Sequence, residues 1–381
     1  MTFVISTTVT APETLTSGQY GFIAPSGSLV VSTADAVSAS GTVDVTVLGA
    51  ISATGSDNRA IEHGGTGLRV EIGADGHISS ADSEAISTIA YNFVSVVNAG
   101  HIFSYSSALD LNPFTTSVSI TVKNSGVIDA GGSAIDADSG AASMRIENTG
   151  LISGASTAIY NAHAGQTGGT TLINDGEIIA RDISFFGSLG NDFVRNSGLM
   201  SGNVILSDGD DTYDGREGSV TGVVAGNGGN DLYIVDDATI ELLEQAPDGN
   251  DTVESSVSFK LQDHIEELTL LEGGDINGEG NDLSNRIRGN MGANRIDGGG
   301  ETDYIFGRGG SDTILGGDGD DYLSTNSGWD RVYGEAGNDT LLGGAGRDVL
   351  DGGEGQDRAS YYNAQLTGVF ASLQNPANNT G

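Results

Sequence analysis

Aspartate recurs at every ninth residue between residues 298 and 360, which produces a regular row of carboxylates. Carboxylate oxygens are hard ligands of the kind that Ca²⁺ prefers, so a row of them can serve several ions. A Gly/Asp-rich flexible linker would have no such fixed period. The spacing therefore predicts a series of calcium sites at Asp303, Asp312, Asp321, Asp330, Asp339, Asp348 and Asp357.

Each nonapeptide in this stretch reads as a turn followed by a short strand. The pattern is G-G-x-G-x-D-x-U-x, which marks a calcium-binding parallel β-roll. Glycine permits positive φ, so the first six residues can fold as a tight turn that offers carbonyl oxygens beside the carboxylate. The opening glycines expected to contribute to the metal sites are Gly298, Gly307, Gly316, Gly334, Gly343 and Gly352. The apolar eighth residues, expected to point inward, are Ile305, Ile314, Leu323, Val332, Leu341, Leu350 and Ala359.

Two nonapeptides complete one coil, so residues eighteen apart should stack at roughly 4.8 Å, the strand spacing of a sheet. Asp303 is then expected above Asp321, and Asp312 above Asp330. Stacked carboxylates repel each other, and a divalent cation between the coils reverses the sign of that interaction. The sequence thus predicts that this segment needs calcium in order to fold.

Three nonapeptides depart from the pattern at positions that are expected to form the calcium sites. Asn285 and Asn294 stand at the sixth position of the two units that precede residue 298, and each offers one neutral oxygen in place of a charge. The unit Thr325–Tyr333 lacks the opening glycines, although it keeps Gly328 and Asp330. We expect weaker calcium binding in these three units.

These motifs resemble the RTX (repeats-in-toxin) family of secreted bacterial calcium-binding proteins, over about residues 280–360. Two isolated units upstream also fit the motif, namely Gly226–Ile234, with Asp231 at the sixth position, and the partial unit Asp208–Tyr213, with Asp211. The resemblance implies several bound Ca²⁺ ions, export of the unfolded chain by type I secretion machinery, and calcium-driven folding outside the cell. In that family the export signal is at the C-terminus, and residues 374–381 carry no obvious signal, which suggests a fragment of a longer protein.

Composition restricts the partners. The chain has 52 acidic and 15 basic residues, and its formal net charge is −37. This charge argues against nucleic acid or an anionic membrane as partner, because both would repel it, and it favours a cation. There is no cysteine to form a disulfide. No segment has the roughly 20 apolar residues of a membrane span, and no N-terminal export peptide is recognisable.

The N-terminal half contains a second, longer repeat of 22–27 residues, in which a glycine is followed two residues later by an apolar residue. Repeats of this length indicate a solenoid, and the β-branched content with Asn/Gly turns favours a parallel β-helix over a helical repeat. The repeated glycines are Gly49, Gly76, Gly100, Gly126, Gly150, Gly176 and Gly198. Asparagines expected to form a hydrogen-bonded ladder precede five of them: Asn98, Asn124, Asn148, Asn174 and Asn196. An Ala-Ile or Ala-Leu pair such as Ala60-Ile61 follows as a second stack.

We therefore predict an all-β chain, an elongated β-solenoid in which an N-terminal right-handed parallel β-helix is followed by a calcium-binding parallel β-roll. The expected division is a strand-rich N-terminal cap at 1–42, the β-helix at 43–205, isolated RTX units with a β-rich spacer at 206–279, the RTX β-roll at 280–360, and a C-terminal cap at 361–381, which is truncated if the chain is a fragment.

Three functions fit this architecture. The favoured one is a secreted, non-enzymatic, calcium-binding solenoid with a structural or adhesin-like role at the cell surface or in matrix, where an extracellular polysaccharide is a candidate partner. The first alternative is a polysaccharide lyase or epimerase with its site on the β-helix, for which the best candidate residues are the stacked pair His77 and His101. No H-E-x-x-H or G-x-S-x-G motif occurs. The second alternative is an export module of a larger toxin or hydrolase.

Overall fold

The computed structural model describes residues 3–112, 118–137, 143–161, 168–246, 249–271, 273–360 and 370–372. The regular structure of these residues is entirely β-strand, and the strands pair in parallel with the strands of neighbouring coils. This confirms the predicted all-β solenoid. The described residues include no helix that could cross a membrane. The chain divides into two compact units, Met1–Asn227 and Gly228–Gly381.

The first unit contains long strands whose pairing register shifts along their length, and short strands that follow each turn. Its strands are Phe3–Ile5, Thr8–Val9, Glu13–Leu15, Tyr20–Ile23, Ser28–Val31, Val37–Val47, Ala50–Ala53, Ile61–Ile72, His77–Ser80, Ile86–Asn98, His101–Ser104, Leu109–Leu111, Ser119–Asn124, Val127–Ala130, Ile135–Asp136, Ser143–Asn148, Leu151–Gly154, Thr157–Tyr160, Thr170–Asn174, Glu177–Phe186, Phe193–Asn196, Leu199–Asp208, Thr212–Asp214, Ser219–Val220 and Val223–Gly228.

The core of this unit consists of apolar columns, because alternate residues of each strand point inward. The residues two positions after the repeat glycines form one column, and they pair in register from coil to coil: Ile51, Ile78, Ile102, Ile128, Ile152, Ile178 and Met200. A second column, also predicted from the repeat, contains Ile61, Ile86, Leu109, Ile135 and Ile159. All of these side chains are fully buried.

The asparagine ladder is confirmed. Each Nδ2 donates a 2.8 Å hydrogen bond to Oδ1 of the asparagine in the next coil, from Asn98 through Asn124, Asn148 and Asn174 to Asn196. The same amides also donate to carbonyl oxygens of the next coil. An amide carries both a donor and an acceptor, so a stack of identical residues satisfies itself.

Residues expected to cap the β-helix already follow the coil pattern. Tyr20–Ile23 pairs in parallel with Asp44–Val47, and Ser28–Val31 pairs with Ala50–Ala53. Coil stacking therefore begins within residues 1–42. At the other end of the chain, most of the expected C-terminal cap, residues 361–381, lies outside the described residues.

The second unit has shorter coils with two principal strands each. Its strands are Leu232–Val235, Glu241–Leu243, Thr252–Ser255, Phe259–Lys260, Glu267–Leu270, Gly278–Glu279, Arg286–Arg288, Arg295–Gly299, Tyr304–Phe306, Thr313–Asp318, Tyr322–Ser324, Ser327–Gly328, Arg331–Ala336, Thr340–Leu342, Ala345–Gly346, Val349–Asp351, Arg358–Ser360 and Phe370–Ser372.

Residues eighteen apart are in register in this unit, as the nonapeptide period predicts. Ile287 pairs with Ile305, which pairs with Leu323, and Ile296 on the facing sheet pairs with Ile314. These apolar residues are fully buried between the two sheets. The eighth positions therefore form the core, and the turns between strands bring the sixth-position aspartates together.

The ladder gives a first testable prediction. Asn148→Ala leaves the Asn124 donor and the Asn174 acceptor buried without their partner, so we expect the unfolding free energy of the first unit to fall by about 2–4 kcal/mol. The control is Glu147→Ala, which removes only ion pairs near the surface with Lys123 and Arg145 and should lower it by less than about 1 kcal/mol. Urea unfolding followed by circular dichroism measures both. Equal losses in the two variants would contradict the ladder's role.

Candidate calcium-binding site

The nonapeptide aspartates form two rows. In the first, the Asp303 amide donates to Asp321 Oδ1 at 2.8 Å, and the Asp321 amide donates to Asp339 Oδ1 at 2.9 Å. The second row repeats this geometry, and the Asp312 amide donates to Asp330 Oδ1 at 2.8 Å. The 18-residue stacking of the carboxylates is thus confirmed. One oxygen of each carboxylate fixes the position of its side chain against the preceding coil.

The second oxygen of these carboxylates is buried and, within the described part of the chain, has no hydrogen-bond partner. The residues concerned are at most 2% exposed. A buried anionic oxygen without a partner is costly, and the usual remedies are a proton or a bound cation. The affected atoms are Oδ2 of Asp303, Asp312, Asp321, Asp330, Asp339 and Asp348. Asp357, at the end of the first row, is half-buried.

A backbone carbonyl oxygen lies beside Oδ2 in the first row. A Cβ added at Gly298 would collide with Asp303 Oδ2 and with the carbonyl oxygen of Gly316. The same construction at Gly316 meets Asp321 Oδ2 and the carbonyl oxygen of Gly334. We call this space the cradle. It is bordered by the carboxylate of one nonapeptide and by the carbonyl oxygen of the first residue in the equivalent nonapeptide of the next coil. Glycine at the first position keeps the cradle open, because any side chain there would fill it.

The turn around each cradle needs left-handed backbone at the second and fourth positions. Gly317 and Gly319 have φ values of 107° and 135°. Arg308 and Glu335 occupy the second position in other units with φ near 75°. A side chain in this conformation is strained by roughly 1–2 kcal/mol, so the surrounding coils must hold these turns in place.

Burial changes the protonation of the carboxylates. It raises the pKa of Asp303 to about 8, and the neighbouring charge of Asp321 adds to that rise. Burial likewise raises the pKa of Asp312 and Asp339 to about 7. At neutral pH the ionised form is therefore poorly accommodated unless a cation balances it. Ca²⁺ binds six to eight oxygen ligands from carboxylates and carbonyls, which is the donor set that borders the cradle.

The Thr325–Tyr333 unit differs from its neighbours at Asp330. Burial raises the pKa of this residue to about 6, while the Asp312 amide and then the Thr325 hydroxyl group, which lie beside the carboxyl group, lower it. The carbonyl oxygen of Gly343, which corresponds to the cradle carbonyls of the first row, accepts a hydrogen bond from Thr325 Oγ1 at 2.8 Å.

The two asparagine units satisfy their own polar groups. Asn285 Oδ1 accepts from the Asn281 amide at 2.7 Å, and its Nδ2 donates to the Ile265 carbonyl at 3.2 Å. Asn294 is held in the same manner. The carbonyl oxygens of Gly298 and Gly307 face these asparagines. The stacking of these coils is therefore complete without an ion, and their weaker calcium binding stays a prediction.

Asp231 lies in a cluster that the sequence analysis missed in part. Its carboxylate and those of Glu244 and Asp251 are buried, and their oxygens lie within 4.8 Å of one another. The Asp231 amide donates to Asp251 Oδ1 at 2.8 Å, and Tyr233 donates its hydroxyl proton to Glu244. Gly249-Asn250-Asp251 repeats the G-x-D core of the motif, whereas no spacing rule identifies Glu244.

Asp211 lies in the first unit, where its Oδ1 accepts the Asp192 amide at 2.6 Å. Asp192 is the sixth residue of a nonapeptide, Gly187–Arg195, that the sequence analysis did not recognise. Its carboxylate is fully engaged by the chain itself, because Ser188 donates its amide to Oδ2 at 2.8 Å and its hydroxyl to Oδ1 at 2.7 Å.

The histidine pair is stacked as expected. His77 and His101 pair in register on adjacent coils, and their ring centroids are 5.1 Å apart. Burial and the nearby His101 lower the pKa of His77. Among the described residues, three carboxylates lie close enough together to hold one metal ion, those of Asp231, Glu244 and Asp251. The two histidines are not part of that cluster.

The fold and the cradles define a parallel β-solenoid with a calcium-binding repeat segment. A family model of the RTX calcium-binding nonapeptide repeat matches the chain four times, at residues 278–314, 288–323, 306–341 and 324–359. The segment 278–359 therefore belongs to the RTX calcium-binding repeats, as the motifs suggested. The comparisons with curated proteins and with solved structures gave no match.

Filling one cradle tests its role. In Gly316→Ala the new methyl group occupies the space between Asp321 Oδ2 and the Gly334 carbonyl, so we expect one calcium ion fewer per chain by isothermal titration calorimetry. The matched control is Gly300→Ala, where the nearest atom to an added Cβ is 3.6 Å away and the parent stoichiometry should remain. An unchanged ion count in Gly316→Ala would rule out calcium in this cradle.

The pKa shifts predict that protons and calcium compete for the same buried carboxylates. The folded-state pKa values of about 6 to 8 lie above the unfolded value near 4, so in EGTA these carboxyls favour folding below about pH 4, and that contribution disappears as pH rises through 6 to 8. Calcium at pH 8 should restore stability, and its apparent affinity should weaken as pH falls from 8 to 6. Thermal unfolding of the second unit across pH, with and without calcium, measures this. Stability in EGTA that increases from pH 5 to 8 would contradict it.

Proposed function

We propose that this protein is a secreted bacterial calcium-binding β-solenoid whose second unit folds when calcium becomes available outside the cell. The observation that carries the proposal is the set of buried carboxylate oxygens that the described residues leave without a partner. We assign the ligands of the first row to Asp303, Asp321 and Asp339, with the carbonyl oxygens of the next coil: Gly316, Gly334 and Gly352. Calcium binding by the other aspartates of the repeat, and by Asp211 and Asp231, stays a prediction.

Calcium supplies enough free energy to decide whether the second unit folds. Extracellular modules bind calcium at about 10⁻⁴–10⁻³ M. When free calcium is about tenfold above the dissociation constant, each site contributes roughly 1.4 kcal/mol. Three first-row sites then give about 4 kcal/mol, close to the lower end of the net stability of a domain.

The charge supports export before folding. The chain carries a formal net charge of −37, and without a cation the mutual repulsion of its carboxylates opposes collapse. In the low calcium of the cytosol the unit therefore stays extended, the form that a type I secretion channel would pass. Outside the cell, calcium neutralises the carboxylates and the coils can stack.

The role we propose after folding is structural or adhesin-like, at the cell surface or in matrix. The interior of the first unit is held by apolar columns and an asparagine ladder that need no ion. Its surface carries a row of ring contacts from His77 through His101 and Phe103 to Tyr105, which is 68% exposed. The rings of this row are inclined to one another, and the exposed ring of Tyr105 can contact a sugar ring, so we propose an extracellular polysaccharide as the partner.

Chelation tests the proposal. Hydrogen exchange of the full chain should show protected amides in both units in millimolar calcium. In EGTA the amides of residues 296–360 should lose protection, whereas those of the asparagine ladder keep it, because the ladder satisfies its own hydrogen bonds. Magnesium serves as the control ion, since it prefers a smaller octahedral site and should not restore protection. A second unit that stays protected in EGTA at pH 8 would refute calcium-triggered folding.

A further inference from the structure

Thr325 stands at the first position of its nonapeptide, where the other units of the strict repeat have glycine. That position matters because a side chain there projects into the cradle of its own unit. In the first row, an added Cβ at Gly298, Gly316 or Gly334 would collide with the carboxylate and with the carbonyl of the next coil. Thr325 carries this Cβ and two further heavy atoms in a fully buried position.

The Thr325 side chain takes up the carbonyl that would serve an ion. Its Oγ1 donates to the carbonyl oxygen of Gly343 at 2.8 Å. Gly343 is the first residue of the next coil, so this oxygen is equivalent to the Gly316 and Gly334 carbonyls of the first row. At Asp330 the space between carboxylate and carbonyl is thus occupied by the protein's own side chain.

The main chain of Thr325 also departs from the pattern. Its carbonyl oxygen accepts the Ser327 amide at 3.0 Å, two residues further along the chain. The Thr325 carbonyl has the position that the Gly316 and Gly334 carbonyls have in the first row. It therefore belongs to the cradle of Asp312, in the preceding coil. A Cβ added at Gly307 meets atoms of Asp312 and Ile314 first, with the nearest Ile314 atom at 3.3 Å.

We propose that Thr325 closes the Asp330 cradle to calcium: its side chain fills the space, and its hydroxyl group takes the Gly343 carbonyl oxygen that would otherwise bind the ion. The second row, Asp312, Asp330 and Asp348, is therefore interrupted in its middle, whereas the first row binds calcium in successive coils. This inference rests on the proposed calcium function and specifies which positions of the roll take ions.

The first unit provides a parallel for such a replacement. Gly187 opens a nonapeptide in which an added Cβ would collide with Asp192 Oδ2 and the Leu206 carbonyl, the same arrangement as in the first row. There, Ser188 donates both its amide and its hydroxyl group to the Asp192 carboxylate. A hydroxyl side chain near the start of a nonapeptide thus supplies a hydrogen bond in both units, from the second position at Ser188 and from the first position at Thr325.

The test is the calcium stoichiometry of full-length variants, measured by equilibrium dialysis and elemental analysis. Thr325→Gly opens the cradle and should bind one more ion per chain than the parent, or two if the residue 325 carbonyl also turns towards Asp312. Thr325→Ser keeps the hydroxyl group and should bind the parent number.

The outcomes separate the two proposals. A parent chain that binds no calcium would refute the proposed function. A parent that binds calcium, together with a Thr325→Gly variant that binds the same number of ions or fewer, would overturn the inference alone. A lower number would mean that the Thr325 hydroxyl group is itself a calcium ligand.

Discussion

A buried carboxylate oxygen that lacks a hydrogen-bond partner is the constraint on which the second unit depends. The solenoid coil fixes each aspartate through Oδ1, which accepts the amide of the residue eighteen positions earlier. That bond leaves Oδ2 facing a space that a side chain at the first position would fill and that is bordered, in the first row, by a carbonyl oxygen. Acceptors alone cannot satisfy one another, so the stack needs a positive charge from outside the chain.

The two units solve the same stacking problem with different side chains. Asparagine has one donor and one acceptor group, so the column from Asn98 to Asn196 is complete without a ligand. Aspartate has only acceptors when ionised, so its column is complete only with a cation or a proton. The Asn285 and Asn294 coils apply the first solution inside the second unit. Under the proposed function, exchange of the amide nitrogen for a carboxylate oxygen therefore converts a coil that satisfies its own polar groups into one whose folding responds to calcium.

The regular parts of this molecule could be predicted from its sequence because stacking imposes a period. The nonapeptide period predicts the 18-residue register, and the longer glycine repeat predicts the buried apolar columns and the asparagine ladder. Prediction failed where the period changes. Asp192 escaped notice because its partner Asp211 is nineteen residues away, and Glu244 joins Asp231 from a segment without a motif. Thr325 was recognised as a departure, but its contact with Gly343 depends on the folded turn.

The central claim is that calcium lies against the buried carboxylates of the first row. Anomalous diffraction from crystals of the full chain grown in calcium tests it most directly. We expect anomalous peaks beside Oδ2 of Asp303, Asp321 and Asp339, each also in contact with the carbonyl oxygen of the next coil. Well-ordered coils in saturating calcium with no anomalous peak at these oxygens would contradict the claim.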